Sequence, residues 1–204
     1  MKLSTLLLSL YPLLLAFPQQ TSTAISPIST SIGPRYRLRT HLKPRSRSNP
    51  HPHHRLNGLY LYTSPSDSVI GRNYPLFTSN ISLAAYAFLN GTNINNTIQQ
   101  FEIYNTTRPF STRFSLQPDY GWAEVNIYPG FSETNGFEFV NEGRLGKALA
   151  MSNSTIYGTM WGGWIVCDWA HGAPQLFWRQ NNYVAPQPYP APRNCADVHI
   201  IQVL

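Results

Sequence analysis

Two side chains able to exchange protons, Asp168 and His171, stand three positions apart in the tryptophan-rich segment 161–178. A hydrolase built on this pair also needs a nucleophile, but the sequence has no Gly-x-Ser-x-Gly turn. The His-Glu-x-x-His pattern of zinc proteases is absent as well. We therefore expect structural hydrogen bonds at both residues and keep catalysis by the pair as the alternative.

A second candidate site rests on the strongly alternating segment WAEVNIY, residues 122–128. Alternation predicts a strand with Trp122, Glu124 and Tyr128 on one face. Rings beside a carboxylate suit a carbohydrate, because the apolar faces of sugars stack on aromatic rings. The same pattern also fits an ordinary solvent-facing strand. We predict Trp122, Glu124 and Tyr128 as glycan-binding residues.

Glycoside hydrolysis remains open, since it needs only two carboxylates at a suitable separation. Glu124 is the candidate acid beside the predicted aromatic pair. The carboxylates available for this chemistry are Asp119, Glu124, Glu133, Glu138, Glu142 and Asp168.

Metal and cofactor chemistry find little support. His51, His53 and His54 lie close together with prolines among them, which favours weak adventitious metal binding. No phosphate-binding loop or nucleotide fingerprint occurs. We predict no metal site and no cofactor.

Positive charge is concentrated in one segment. Seven of the 15 Lys and Arg residues lie between Arg35 and Arg55, where there is no acid. Residues 56–204 have seven basic and nine acidic residues. The Pro-, Ser- and His-rich residues 43–55 have no interleaved aromatics and are typical of a flexible, solvated loop. We predict no nucleic-acid partner, although a basic segment can also bind an anionic surface.

The N-terminus has the features of a secretory signal, because Lys2 precedes a leucine-rich apolar run at residues 6–17. That run is short for a membrane span. We predict a signal peptide over residues 1–24, with cleavage between 16 and 24, then a disordered linker over residues 25–34. An uncleaved anchor is the alternative. The predicted location is extracellular, with no membrane contact after cleavage.

Asn-x-Ser/Thr sequons agree with export, and four of the five fall within 26 residues. Such a sequence accepts an N-linked glycan when it lies on the surface of a secreted protein. We predict glycosylation at Asn80, Asn90, Asn95, Asn105 and Asn153.

The chain has two cysteines, Cys167 and Cys195. In an oxidising compartment they most simply pair, which would close a loop of about 29 residues and stabilise the fold by roughly 3–4 kcal/mol. A catalytic thiol is the alternative.

Short apolar runs between turn residues predict an all-β domain over residues 35–204, which includes the basic loop at 43–55. The 17 prolines and 13 glycines disfavour long helices. We expect a single antiparallel β-sandwich or barrel-like domain. The expected strands are residues 36–40, 58–62, 81–89, 101–104, 111–116, 122–128, 136–140, 147–151, 155–159, 163–169, 175–178 and 198–203.

The tryptophan-rich segment is expected to form the core, because dense tryptophans need a large apolar environment. Alternation predicts that Trp164 and Val166 share one strand face and that Ile165 and Cys167 share the other. Trp122 and Tyr128 are instead expected to be exposed.

Three segments, FLNGT at 88–92, GWAEVNI at 121–127 and GGWIVCDWAHGAPQLF at 162–177, resemble a family of small secreted fungal proteins described as a domain of unknown function. The resemblance runs from about Tyr36 to the C-terminus. It implies a fungal extracellular protein with a second cysteine near the C-terminus, which Cys195 matches. The basic loop at 43–55 departs from the family and resembles an insertion. The resemblance implies no catalytic residue.

Together these features predict a non-enzymatic, secreted β domain that binds a glycan or another cell-surface component. One alternative is a small secreted hydrolase that acts on polysaccharide. Another is a structural or effector-like protein whose partner is a second protein.

Overall fold

The computed structural model describes residues 33–47, 49–51, 53–66, 71–91, 93–103, 106, 108–116, 121–130, 132, 134–169, 172–181 and 190–204. The predicted signal peptide and residues 25–32 of the predicted linker lie outside these ranges. So do His171, Asn105, Asp119 and Glu133.

Twelve strands make up about half of the described residues. They are β1 (Arg37–Leu42), β2 (Tyr60–Pro65), β3 (Asn73–Thr78), β4 (Tyr86–Asn90), β5 (Ile98–Glu102), β6 (Phe110–Phe114), β7 (Trp122–Pro129), β8 (Phe137–Asn141), β9 (Lys147–Met151), β10 (Trp161–Cys167), β11 (Gln175–Gln180) and β12 (Cys195–Val203). One short helix, α1 (Ile156–Thr159), precedes β10, and the 3-10 turns are His54–Leu56, Ile81–Leu83, Ile94–Asn96 and Gly143–Leu145. No described helix is long and apolar enough to cross a membrane.

The strands form one antiparallel sheet that closes on itself. Hydrogen-bonded neighbours follow the order β4-β5-β6-β7-β11-β3-β2-β1-β12-β9-β8. β10 lies off this path and pairs with both β11 and β12. The series β10-β11-β3-β2-β1-β12 is therefore a closed ring of paired strands. The all-β, antiparallel, barrel-like fold predicted from the sequence is confirmed.

One face of the ring strands holds the main core. Trp164 is 3% exposed and donates its Nε1–H to the Leu149 carbonyl at 2.6 Å. Trp178 is fully buried, donates to the Ser115 carbonyl at 3.0 Å, and stacks on Phe114 with ring centroids 4.6 Å apart. Both indole N–H groups thus keep a partner inside an apolar core, as buried tryptophans require.

The other face of β10 and β11 carries a smaller core. Ile165, Cys167 and Phe177 pack there with Ala191 and Cys195. The predicted division of β10, with Trp164 and Val166 on one face and Ile165 and Cys167 on the other, is confirmed. Both faces are covered because this strand lies in the middle of the sheet.

The disulfide joins β10 to β12. Cys167 and Cys195 are direct register partners on these strands, with a Cα–Cα distance of 4.0 Å. The predicted Cys167–Cys195 bond is confirmed, and it cross-links two strands that are already hydrogen-bonded.

Two predicted strands differ from the structure. Residues 156–159 of the predicted strand 155–159 form α1 instead, because Thr155 caps the helix by accepting a hydrogen bond from Gly158 N–H. Residues 81–83 form a 3-10 turn, in which Asn80 Oδ1 accepts from Ser82 N–H, and β4 begins only at Tyr86. In both places a short polar side chain satisfies backbone donors and competes with strand pairing.

β3 is an element that the sequence analysis did not predict. Its segment NYPLFT contains Pro75, which has no N–H to donate and is rare inside a sheet. β3 forms because burial of its apolar side chains stabilises it. Leu76 and Phe77 are only 3% and 2% exposed.

Candidate functional site

Asp168 makes structural contacts. Its Oδ2 lies 2.8 Å from Arg55 Nη2. Its backbone N–H donates to the Asn194 carbonyl, and its own carbonyl accepts from Asn194 Nδ2. These contacts tie the end of β10 to two loops. Its predicted partner His171 lies outside the described residues.

The three predicted glycan-binding residues share one face of β7 but do not form one platform. Trp122 is half-buried, with its ring centroid 4.8 Å from Trp169 and 5.7 Å from Phe177 in edge-on contacts. Tyr128 lies six residues, or about 20 Å, further along the strand. The expectation that Trp122 and Tyr128 are exposed is therefore corrected, since both are half-buried, whereas their role in glycan binding stays a prediction. β11 pairs with β7 and places Phe177 opposite Glu124, which gives Trp122 an apolar neighbour.

The basic segment 43–55 is anchored to the sheet. Asn49 is 1% exposed, donates from Nδ2 to the Lys43 carbonyl at 3.0 Å, and accepts at Oδ1 from Asp197 N–H at 3.1 Å. Lys43 N–H donates to the Asp197 carbonyl. The predicted exposure is found at Arg45, Arg47 and Arg55, whereas Asn49 is buried and satisfies the Lys43 carbonyl and the Asp197 N–H. The predicted flexibility of this loop stays a prediction.

Within the described ranges no group of three or more His, Cys, Asp or Glu side chains is placed to hold a metal ion. His51 and His54 are exposed, and His53 Nε2 contacts the Arg193 carbonyl oxygen.

A cavity opens where β4 begins and β5 ends. It has a volume of about 790 Å³. We call it the Tyr86 groove, and its walls are Arg35, Thr63, residues 82–86, Phe88, Glu102, Ile103, Thr106, Arg108 and Pro109.

Tyr86 presents an aromatic ring to this groove. The side chain is 43% exposed. Arg37 Nη2 donates to the Tyr86 hydroxyl at 2.7 Å, and the guanidinium carbon lies 4.3 Å from the ring centroid. A cation over a ring face and a hydrogen bond at its tip together restrict the orientation of the ring.

Charged groups stand beside the ring. Glu102 is the register partner of Tyr86, and its Oε1 accepts from Arg35 Nε at 2.7 Å. Arg108 forms another part of the wall and is exposed. Leu83, on the rim, is 59% exposed. The groove therefore combines an aromatic surface with an ion pair, a second arginine and an apolar edge.

A buried polar layer supports the strands that carry the groove. Asn90 Nδ2 donates to Gln100 Oε1, and Gln100 Nε2 donates to Ser111 Oγ, both at 2.9 Å. On the opposite strand face, Tyr36 donates to Gln99 Oε1 at 2.8 Å. Burial raises the pKa of Tyr36, and this effect outweighs the opposing effect of the Gln99 hydrogen bond. These bonds cross-link β4, β5 and β6 and hold the groove walls in place.

A second, smaller cavity of about 420 Å³ is lined in part by the predicted residue Tyr128. Arg113 lies over the Tyr128 ring, with 5.7 Å between the guanidinium carbon and the ring centroid. Asn126 is 4% exposed and donates from Nδ2 to Ser115 Oγ at 3.1 Å. Its Oδ1 has no hydrogen-bond partner among the described residues. The cavity is small and polar and is separate from Trp122.

The predicted glycosylation sites differ in exposure. Asn80, Asn95 and Asn153 are exposed. Asn90 is only 5% exposed, and its Nδ2, the atom that would carry a glycan, donates to Gln100. Its placement in the fold argues against a glycan at Asn90, because the attached sugar would displace a buried hydrogen bond. Asn105 lies outside the described residues.

Residues 33–204 match the model of a family described as a domain of unknown function, DUF7907. The chain belongs to this family. The matched range includes all twelve described strands, both cavities and the basic loop, so the sheet as a whole is the DUF7907 domain. No curated protein and no solved structure matches the chain. The expectation of a family of unknown function is confirmed, whereas secretion and fungal origin stay predictions.

The Tyr86 groove of the DUF7907 domain was not predicted from the sequence. The run ISLAAYAFL has apolar residues at both parities, which predicts a strand buried on both faces. Tyr86 is instead exposed, because the turn at Ile81–Leu83 ends the apolar run early and leaves Tyr86 at the edge of the sheet. Arg37, which contacts the ring, lies 49 positions earlier in the sequence, and no local motif links it to Tyr86.

Proposed function

We propose that this domain is a non-enzymatic extracellular module that binds carbohydrate in the Tyr86 groove. The observation that carries the proposal is the Tyr86 ring, which is 43% exposed and fixed by Arg37 at the wall of a 790 Å³ groove. A sugar ring has an apolar face that stacks on an aromatic ring and hydroxyl groups that need hydrogen-bond partners. The groove offers both kinds of contact.

The groove has the dimensions and rigidity of a binding site. Ligand pockets typically have volumes of roughly 300–1,000 Å³, and this groove lies within that range. The Arg37–Tyr86 contact and the polar layer of Gln99, Gln100 and Ser111 restrain the β4–β5 side of the groove before any ligand arrives. Preorganisation of this kind reduces the entropy lost on binding.

The small number of carboxylates in the groove favours binding over hydrolysis. Most glycoside hydrolases place two carboxylates across the scissile bond. Among the described residues that line the groove, Glu102 is the only carboxylate, and it is engaged by Arg35 at 2.7 Å. Glu124 and Asp168 belong to other parts of the surface.

Export and glycosylation are part of the proposal. They are supported by the apolar N-terminal run and by the exposure of Asn80, Asn95 and Asn153. The disulfide between Cys167 and Cys195 fits an oxidising compartment.

The proposal is tested by measuring retention of the mature protein on a panel of immobilised neutral and acidic polysaccharides. We expect binding to at least one of them and a loss of about 30-fold or more in Tyr86→Ala, since central aromatic contacts often contribute about 2 kcal/mol or more. Tyr86→Phe keeps the ring and should retain most of the affinity.

Tyr128→Ala is the matched control, because Tyr128 also lies beside an arginine but in the smaller cavity. It should bind like wild type. If neither wild type nor any variant is retained on any of the polysaccharides, the proposal is wrong. Loss of binding in Tyr128→Ala with Tyr86→Ala intact would move the site to β7. Release of new reducing ends that Glu102→Gln abolishes would instead identify a hydrolase.

A further inference from the structure

We infer that the ligand of the Tyr86 groove is an acidic carbohydrate, one that carries carboxylate or sulfate groups on its sugar rings. This inference rests on the proposed function and adds the charge of the ligand. It follows from the balance of charges around Tyr86.

Three guanidinium groups belong to this region: Arg35 and Arg108 line the groove, and Arg37 lies over the Tyr86 ring. Glu102 is the one carboxylate among the described lining residues. Arg35 is neutralised by Glu102 at 2.7 Å. Arg37 and Arg108 take part in none of the salt bridges between described residues. The described lining of the groove therefore has an excess of one positive charge, and Arg37 over the Tyr86 ring adds a second.

Arg37 also has a donor without a partner. Its Nη2 is used by the Tyr86 hydroxyl, while its Nε is buried and has no hydrogen-bond partner among the described residues. The guanidinium is therefore committed to holding the ring and adds positive charge beneath it. A neutral sugar would leave this charge uncompensated, whereas an anionic sugar would compensate it.

Arg108 is the arginine best placed to contact an anionic group directly. It lines the groove and is exposed, so its five N–H donors are available to a planar carboxylate or to sulfate oxygens. Stacking on Tyr86 would position the ligand, and pairing with Arg108 would select for a negatively charged one.

A matched pair of ligands tests the inference. Polygalacturonate and its fully methyl-esterified form have the same backbone and differ in charge, and dextran sulfate with dextran forms a second pair that tests sulfate. We expect at least one acidic polymer to bind about tenfold or more tightly than its neutral partner at low salt. The preference should shrink at about 1 M salt, where the screening length falls to about 3 Å.

Arg108→Gln should reduce affinity for the acidic polymer about tenfold and leave affinity for the neutral polymer unchanged. Arg144→Gln is the control, because Arg144 is an exposed arginine on the turn Gly143–Leu145, outside the groove. An equal loss in both variants would show attraction by the overall positive charge and overturn the inference.

The inference and the proposed function fail in different ways. If the acidic and neutral polymers bind equally and Tyr86→Ala abolishes both, the groove binds carbohydrate and the inference on charge is wrong. If no polymer in either pair binds, and the wider panel also fails, the proposed function itself is wrong.

Discussion

Arg179 and Asp197 form a buried ion pair between β11 and β12, with the Nε–Oδ1 distance at 2.5 Å and the two side chains only 9% and 7% exposed. The backbone of Asp197 is held as well, since its N–H donates to Asn49 Oδ1 and its carbonyl accepts from Lys43 N–H. The ion pair therefore lies where the basic loop is anchored to the sheet.

Asp197→Asn should lower the free energy of unfolding by about 3 kcal/mol, because the Arg179 charge would lose its buried counterion. The double variant Arg179→Met/Asp197→Leu should recover most of that loss, since apolar replacement removes both charges. Urea denaturation measures both. A change below about 0.5 kcal/mol in Asp197→Asn would mean that the ion pair contributes little to stability.

The two faces of the tryptophan-rich sheet should respond differently to substitution. Trp164→Ala should cost about 3–5 kcal/mol, because it removes a fully packed ring and its hydrogen bond to Leu149. Trp122→Ala should cost roughly 1–2 kcal/mol, since the ring is half-buried against Trp169 and Phe177. Thermal or urea denaturation of the two variants gives the comparison. An equal cost would show that the outer cluster matters as much as the main core.

Much of the fold follows from local patterns. The alternation in residues 122–128 and the composition of residues 163–178 predicted β7, β10 and β11, because burial fixes which parity points inward. Pro75 concealed β3, whose formation depends on contacts with strands that are distant in the sequence. The side chains of Asn80 and Thr155 cap backbone N–H groups, so two segments that were predicted as strands form a 3-10 turn and a short helix.

The candidate site was harder to predict for a physical reason. Tyr86 meets Arg37 across 49 positions of sequence, and such a pair leaves no periodic signal. The prediction at Trp122, Glu124 and Tyr128 identified a strand face correctly, but the pairing of β11 covers one end of that face and leaves Tyr128 in a separate cavity.

Stability should depend on pH through His199. Burial lowers the pKa of His199, Lys43 and His41 lower it further, and Glu142, whose Oε1 lies 3.5 Å from Nδ1, acts in the opposite direction. The folded protein therefore favours the neutral imidazole. Its contribution to stability is complete above the unfolded pKa of 6.5 and is lost as the pH falls from 6.5 through the lower folded pKa.

The measurement is the free energy of unfolding between pH 8 and pH 5, for wild type and for His199→Gln. Both will respond to other groups, so the informative quantity is the difference between them. Wild type should lose stability more steeply than His199→Gln as the pH falls through this window. Parallel curves would show that His199 does not control the pH dependence.

The sequons should differ in glycan occupancy according to their exposure in the fold. When the chain is expressed through a glycosylating secretory pathway, we expect glycans at Asn80, Asn95 and Asn153 and none at Asn90. Asn80 uses its Oδ1 to accept from Ser82 N–H, which leaves Nδ2 on the surface. Asn90 Nδ2 is committed to Gln100 within the polar layer that supports the Tyr86 groove.

Peptide mapping before and after N-glycanase treatment identifies the occupied sites, because the enzyme converts each glycosylated Asn to Asp. Asn153→Gln should remove one glycan and leave the fold unchanged, because Asn153 is exposed. Asn90→Ala should remove no glycan but lower stability by about 1–3 kcal/mol, since it leaves Gln100 Oε1 buried without its donor. A glycan found on Asn90 in folded, secreted protein would contradict the placement of this residue inside the β4–β5–β6 polar layer.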